Sequence, residues 1–231
     1  MEAWGPLTYY CAFTLVIIAY LLGSIPSAVW IGKKYYGIDI REHGSKNAGT
    51  TNMLRVLGKR AAIPVFIIDF FKGFCAVQLT FILRFAPEVT DSWIINLRLI
   101  ATAAVVLGHI FPIFANFNGG KGVATLLGAG AGIYPPCVLI CFGVWCLVFA
   151  IWHYVSLASI VAGCCYPACV MIYTMIPEIA NAAPYMNVPF IVFSWAVAIM
   201  LIWTHRKNIK RLREGTESKI HIWPGGEKKV G

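Results

Sequence analysis

Two short stretches of this sequence hold residues suited to phosphate. The first, Gly44-Ser45-Lys46-Asn47-Ala48-Gly49-Thr50-Thr51-Asn52-Met53-Leu54-Arg55, sets hydroxyls, amides and glycines between basic residues. It offers backbone N–H groups, hydroxyl donors and a guanidinium able to grip a phosphate through two parallel hydrogen bonds. Ser45, Asn47, Thr51, Asn52 and Arg55 are its candidate contacts, although a solvated linker explains the composition equally well. The second, Asn118-Gly119-Gly120-Lys121-Gly122, stands directly before an apolar run. Gly119, Gly120 and Gly122 would let the backbone approach an anion, and the positive end of the following helix adds to the charge of Lys121. The full GxxxxGK(S/T) pattern is missing, so a small phosphate monoester suits the loop better than a nucleotide. A tight turn with an interfacial lysine is the plain alternative.

Further candidates sit inside or beside apolar segments. Asp69 and Lys72 are three residues apart, hence on one helical face and able to pair. In hydrocarbon such groups are costly and should face the bundle interior. His109 follows Gly108 near the end of an apolar run; a lone histidine is more often a satisfied polar group than a catalyst. Ser159, in Val155-Ser156-Leu157-Ala158-Ser159, opens a helix, where serine caps or back-bonds. The stretch His205–Glu217, with Asn208 inside it, is cationic, and attraction to anionic lipid accounts for that alone.

The elements that must position these groups are membrane helices. Of 231 residues, 59% are hydrophobic and 13% charged, where a soluble domain is about a quarter charged. Uncharged runs extend over Leu7–Gly32, Val123–Ile176 and Asn187–Thr204, near or beyond the ~20 residues that cross a ~30 Å hydrocarbon core. This composition excludes a nucleic-acid reader, a secreted disulfide scaffold and a peripheral amphipathic anchor. The eight cysteines lie in apolar segments without CxxC spacing or a neighbouring histidine, so they read as packing residues and no metal is expected. The first run lacks a basic leader and reads as a retained helix, not a signal peptide.

Helices are expected over Leu7–Gly32, Ala61–Leu83, Ser92–Phe114, Val155–Ile176 and Val188–Thr204, with Val123–Trp152 broken at Pro135-Pro136. Of 19 basic residues, seven fall in 33–60 and eight in 205–231, which puts both segments in the cytoplasm. Parity then favours splitting Val123–Trp152 and predicts an all-α bundle of about seven transmembrane helices, N-terminus outside and C-terminus cytoplasmic. The piece Val123–Tyr134 would reach only ~18 Å, with Gly128, Gly130 and Gly132 allowing close helix contact. We read residues 1–231 as a single domain, with 33–60 a cytoplasmic active-site loop and 205–231 a cytoplasmic basic tail.

Together these segments resemble the bacterial acyl-phosphate:glycerol-3-phosphate acyltransferases of the PlsY type. The matching pieces are Leu22-Gly23-Ser24-Ile25-Pro26, Gly44–Arg55, Asp69-Phe70-Phe71-Lys72-Gly73, Gly108-His109, Gly119–Thr125, Val155–Ile160 and His205–Glu217, in the family's order and over nearly the whole chain. The resemblance implies acyl transfer from acyl phosphate to the 1-hydroxyl of glycerol 3-phosphate, giving lysophosphatidic acid and phosphate, without a cofactor. It implies catalytic roles for Ser45, Arg55, His109, Lys121 and Ser159, and binding roles for Asn47, Thr51, Asn52, Lys72, Gly119, Gly120, Gly122, His205 and Asn208. The partners implied are glycerol 3-phosphate, acyl phosphate and membrane lipid, with no nucleic acid, at a site facing the cytoplasm of a bacterial cell membrane. The base that takes the hydroxyl proton is left as either His109 or the substrate's own phosphate. Two alternatives were weighed. A phosphate or organic-anion transporter would want its charges near the midplane and reachable from both sides. An acyl-CoA enzyme of the HxxxxD type fails, because no Asp lies five residues after any histidine.

Overall fold

The computed structural model describes residues 5–86, 89–176 and 188–220, and among these all regular structure is helical. The connection at 177–186 and the extension from Trp223 both lie wholly outside the described residues. In chain order the helices are α1 (Pro6–Gly23), α2 (Ser27–Tyr36), α3 (Thr50–Leu57), α4 (Lys59–Gln78), α5 (Asp91–Ile110), α6 (Val123–Ile133), α7 (Pro135–Trp152), α8 (Val155–Met175), α9 (Val188–Thr204) and α10 (Arg206–Arg213). Five helical runs are long and apolar enough to cross a bilayer, six if α9 and α10, bent by 59°, count as one. The 11-residue α6 spans only ~16 Å. Large apolar side chains cover the outside, with Phe13, Leu139 and Ile199 about two-thirds exposed (66%, 67% and 65%). Only a hydrocarbon solvent makes such a surface inexpensive.

Several expected boundaries move, each for a local reason. The first helix is two helices, because Pro26 lacks an N–H and drives the preceding residue out of helical conformation. At the break the Ile25 carbonyl accepts from the Ser27 N–H at 3.1 Å and from Lys72 Nζ at 3.0 Å, and Ser24 Oγ donates back to Tyr20 O at 2.9 Å. The segment 33–60 is not a loop throughout. Lys33 and Lys34 belong to α2, and Thr50–Leu57 forms α3 with a strongly one-sided apolar face. The basic tail begins as α10. The break in Val123–Trp152 falls at Tyr134, and Pro135 and Pro136 start α7, where a missing N–H costs nothing.

Close helix crossings hold the bundle. A Cβ at Gly128 would collide with the Phe70 carbonyl, and one at Gly73 with the Thr125 carbonyl, so α4 and α6 nearly touch. Gly23 and Gly108 do the same for α1 and α5. With α5 the most buried span and α7 the least, α6 is wrapped by neighbours and α7 faces lipid.

Candidate active site

The ends of α5, α8 and α9 and the start of α6 converge with the α2–α4 segment around a cavity of about 440 Å³. Lys121 and Val155, at opposite ends of the α6–α7 hairpin, both line it, so that hairpin runs out and back.

The polar wall begins with Asn52, buried in the first turn of α3. Its Oδ1 accepts from the Ser45 N–H at 2.9 Å, and its Nδ2 donates to the carbonyls of Ile40, His43 and Asn47 at 3.1, 2.9 and 3.1 Å. An amide has two N–H donors for these three carbonyls, so one is shared and the group is saturated. Asn52 thereby winds the preceding loop around itself, which needs positive φ at Gly44 and Lys46 (57° and 59°). Arg41 ties this loop to the next: it pairs with Asp39 at 2.7 Å and donates to Ala115 O at 2.9 Å. Its hydrogen bonds hold the Asp39 carboxyl well below the usual carboxylate range.

Across the cavity, Lys121 Nζ donates to Asn208 Oδ1. Asn208 Nδ2 reaches both oxygens of Glu217 at 3.1 and 3.2 Å. Glu217 also accepts Arg211 Nε at 2.7 Å and lies 3.6 Å from the Arg55 guanidinium. Three cations around one buried carboxylate leave surplus positive charge, and Arg55 Nε has no hydrogen-bond partner among the described residues. Burial pushes the Lys121 ammonium down to about 8; Glu217 opposes this, while Arg211 and Arg55 add to it. Burial likewise lowers Arg55, against the pull of Glu217. Buried Thr50 and Ser156 hydroxyls on the cavity wall are also unpartnered among the described residues, so the site holds donors that a ligand would satisfy. His205 donates from Nδ1 to Leu201 O at 2.8 Å, which leaves Nε2 for the cavity it lines.

Beneath this wall is a buried polar layer, of which Asp69 and His109 border the cavity. Asp69 Oδ1 accepts from Ser27 Oγ at 2.8 Å, pairs with Lys72 Nζ at 2.8 Å and lies 3.6 Å from His109 Nδ1. From the wall an apolar arm runs between α6, α7, α8 and α9, lined by Leu127, Ile133, Phe142, Trp145, Tyr166 and Phe193 among others. The cavity is thus an amphiphile's shape in negative: cationic at one end, hydrocarbon along the other.

Residues 13–215 match the profile of the glycerol-3-phosphate acyltransferase family. The chain belongs to this family. Relatives named glycerol-3-phosphate acyltransferase include one from Chlorobaculum tepidum, 40% identical over 220 residues, and one from Chlorobium phaeobacteroides, 38% identical over 223. Each alignment covers 89% of this chain and 95% of the relative. Among solved structures, the fold matches PlsY, an integral membrane glycerol 3-phosphate acyltransferase, in its glycerol 3-phosphate form. The TM-score is 0.74 with 36% identity, over 91% of this chain and 96% of that one. The lysophosphatidic acid form of PlsY matches with a TM-score of 0.71 and 35% identity. The chain is an all-helical integral membrane protein, as the composition predicted, and its family is the one that the ordered motifs resembled.

Of the residues singled out from the sequence, Ser45, Asn47, Thr51, Asn52, Arg55, His109, Lys121, Gly122, Ser159, His205 and Asn208 all line the one cavity, although they span most of the chain. Some take other parts than expected. The Gly119 and Gly120 N–H groups do not point at a ligand; they donate to Ile110 O and His109 O, both at 3.1 Å. Their missing side chains make room for α5: a Cβ at Gly119 would strike the His109 carbonyl and one at Gly120 the His109 ring. Lys72 is sealed behind Asp69 and does not line the cavity, so its charge is already matched. Ser159 Oγ donates back to Val155 O at 2.8 Å and accepts from Trp145 Nε1 at 3.1 Å, the back-bonding alternative. Glu217, which organises the cationic wall, was missed as a site residue. Its signal was an acid embedded in a basic tail, but a surface ion pair has the same pattern.

Proposed function

We propose that this protein transfers an acyl chain from acyl phosphate to the 1-hydroxyl of glycerol 3-phosphate, yielding lysophosphatidic acid and phosphate. The observation that carries the reading is the cavity, cationic at one end and apolar along the other. It accommodates an acyl phosphate with its chain between α6, α7, α8 and α9 and its phosphate at the Arg55–Lys121 wall. Family membership supplies glycerol 3-phosphate as the acceptor.

Chemistry then follows from charge. The donor is already activated, with phosphate as leaving group, so the 1-hydroxyl oxygen attacks the acyl carbon directly and no covalent enzyme intermediate is needed. Two phosphates must approach each other, and the surplus positive charge of Arg55, Lys121 and Arg211 offsets their repulsion. Ser45, with the unpartnered Thr50 and Ser156 hydroxyls, supplies donors where the tetrahedral oxyanion develops. The hydroxyl proton passes to a phosphate oxygen. His109 suits the base role poorly, because its Nε2 packs on Gly120 and its Nδ1 faces Asp69. It acts as a positioning residue for the glycine turn. On this reading the chain crosses a bacterial cytoplasmic membrane with its N-terminus outside and its C-terminus inside, the α6–α7 hairpin bringing the count to seven. The cavity's polar end then draws soluble substrate from the cytoplasm. The transporter alternative accounts for the cations but not for the apolar arm.

The test supplies purified protein with labelled glycerol 3-phosphate and either acyl phosphate or acyl-CoA. Labelled lysophosphatidic acid is expected with acyl phosphate alone. Robust turnover with acyl-CoA, in protein free of other acyltransferases, refutes the donor assignment.

A further inference from the structure

α10 has two working faces. Inward, Asn208 and Arg211 join the Glu217 network. Outward, Arg206, Lys210 and Arg213 are all exposed and spaced so as to stack along one side of the helix. The 59° bend after α9 turns α10 away from the crossing direction just where the apolar span ends. At the corner, the Arg206 guanidinium lies 4.7 Å from the centroid of the half-exposed Trp203 ring and donates to Trp203 O at 3.0 Å. Trp203 itself leans on Phe111 of the α5 end, 6.2 Å between centroids. The three cations edge a surface cavity of about 400 Å³ with Ile202 and Ile209 at its apolar side. Glu214 also edges it, 3.8 Å from Lys210, and reduces but does not cancel the positive charge.

We propose that this corner is a binding site for the phosphate headgroup of an anionic phospholipid in the same bilayer, separate from the catalytic cavity. Cations at the end of an apolar span, beside an interfacial tryptophan, match a headgroup above and acyl chains below. Because α10 presents Asn208 on its other face, a lipid held here also steadies the helix that completes the cationic wall.

Native mass spectrometry of protein released from bilayer nanodiscs containing equal phosphatidylglycerol and phosphatidylcholine tests this. Wild-type protein should retain phosphatidylglycerol preferentially, and the preference should fall about 5-fold for each basic residue removed among Arg206→Gln, Lys210→Gln and Arg213→Gln. Acylation activity of these variants in uncharged detergent should remain. A control pair elsewhere, Lys34→Gln with Arg60→Gln, removes charge without touching the corner. Equal loss in that control would show bulk attraction to a chain of net charge +9 and overturn the site. So would displacement of the lipid by millimolar inorganic phosphate, which would mark a soluble-anion subsite. Should a variant fold poorly, the wild type decides: a preference that does not weaken as salt rises contradicts a headgroup held by exposed cations.

Discussion

Replacing Gly120 by alanine separates two roles for the glycine turn. A Cβ facing substrate would crowd the phosphate, raising KM for glycerol 3-phosphate and leaving stability alone. The geometry directs it elsewhere, into His109 Nε2, with His109 Cε1 and Ala48 O each at 3.0 Å. Carbon atoms prefer about 3.5–4.0 Å and the Nε2 contact is shorter than the other two, so the ring or the turn must yield by more than about 1 Å. His109 is buried between Asp69 and the turn and has little room to move. Overpacking of this kind costs about 1–3 kcal/mol, and a ~1 Å misplacement near reacting groups costs on the order of 100-fold in rate. We therefore expect Gly120→Ala to lower both the unfolding temperature in detergent and kcat, measured as phosphate release from acyl phosphate. Gly143→Ala on α7, where an added Cβ meets nothing within 4 Å, should be neutral or slightly stabilising. The decisive measurement is the cycle with His109→Ala. Removing the ring should relieve much of the Gly120→Ala penalty, a coupling of about 1 kcal/mol or more. Equal penalties in both backgrounds, or a raised KM with unchanged stability, would refute the packing argument and return Gly120 to the ligand.

Lys121, lowered to about 8 by burial, is charged below that pH and neutral above it. Accordingly kcat/KM for glycerol 3-phosphate should fall as pH rises through about 8, and Lys121→Arg should carry that limb to higher pH. Asn52→Ala removes four contacts that fix Ser45 and its loop; at about 1 kcal/mol each, with one donor shared, roughly 2–4 kcal/mol of stability should be lost. In contrast, Ser45→Ala should lower kcat with the melting curve unchanged. Fused reporters should place the C-terminus in the cytoplasm and the N-terminus outside; termini on one side would break the seven-crossing count and the single catalytic face.

What the sequence determined by itself was whatever rests on composition and one-dimensional pattern. Apolar runs between Lys and Arg clusters specify membrane helices, since no other environment accepts them. Pro26 and Pro135-Pro136 specify breaks, although the first was overlooked inside an otherwise unbroken apolar run. Residue type flagged the hydroxyls, amides and cations of the Gly44–Arg55 stretch and Lys121, while the resemblance added His109, Ser159, His205 and Asn208 to the cavity's polar residues. Tertiary structure decided what each residue points at. Whether a glycine N–H meets a ligand or a carbonyl depends on how closely α5 passes the turn, and helix separation is written in no local spacing. The spacing of Asp69 and Lys72 allowed their pair, but only the Ile25 carbonyl closing on Lys72, with Ser27 on Asp69, showed that this cation is kept from the cavity. Glu217 acquired its role only when the segment after α10 brought it against Arg55, Asn208 and Arg211. Long-range contacts join residues that share no helical period, and the energy of a buried charge is set by the partners that those contacts bring.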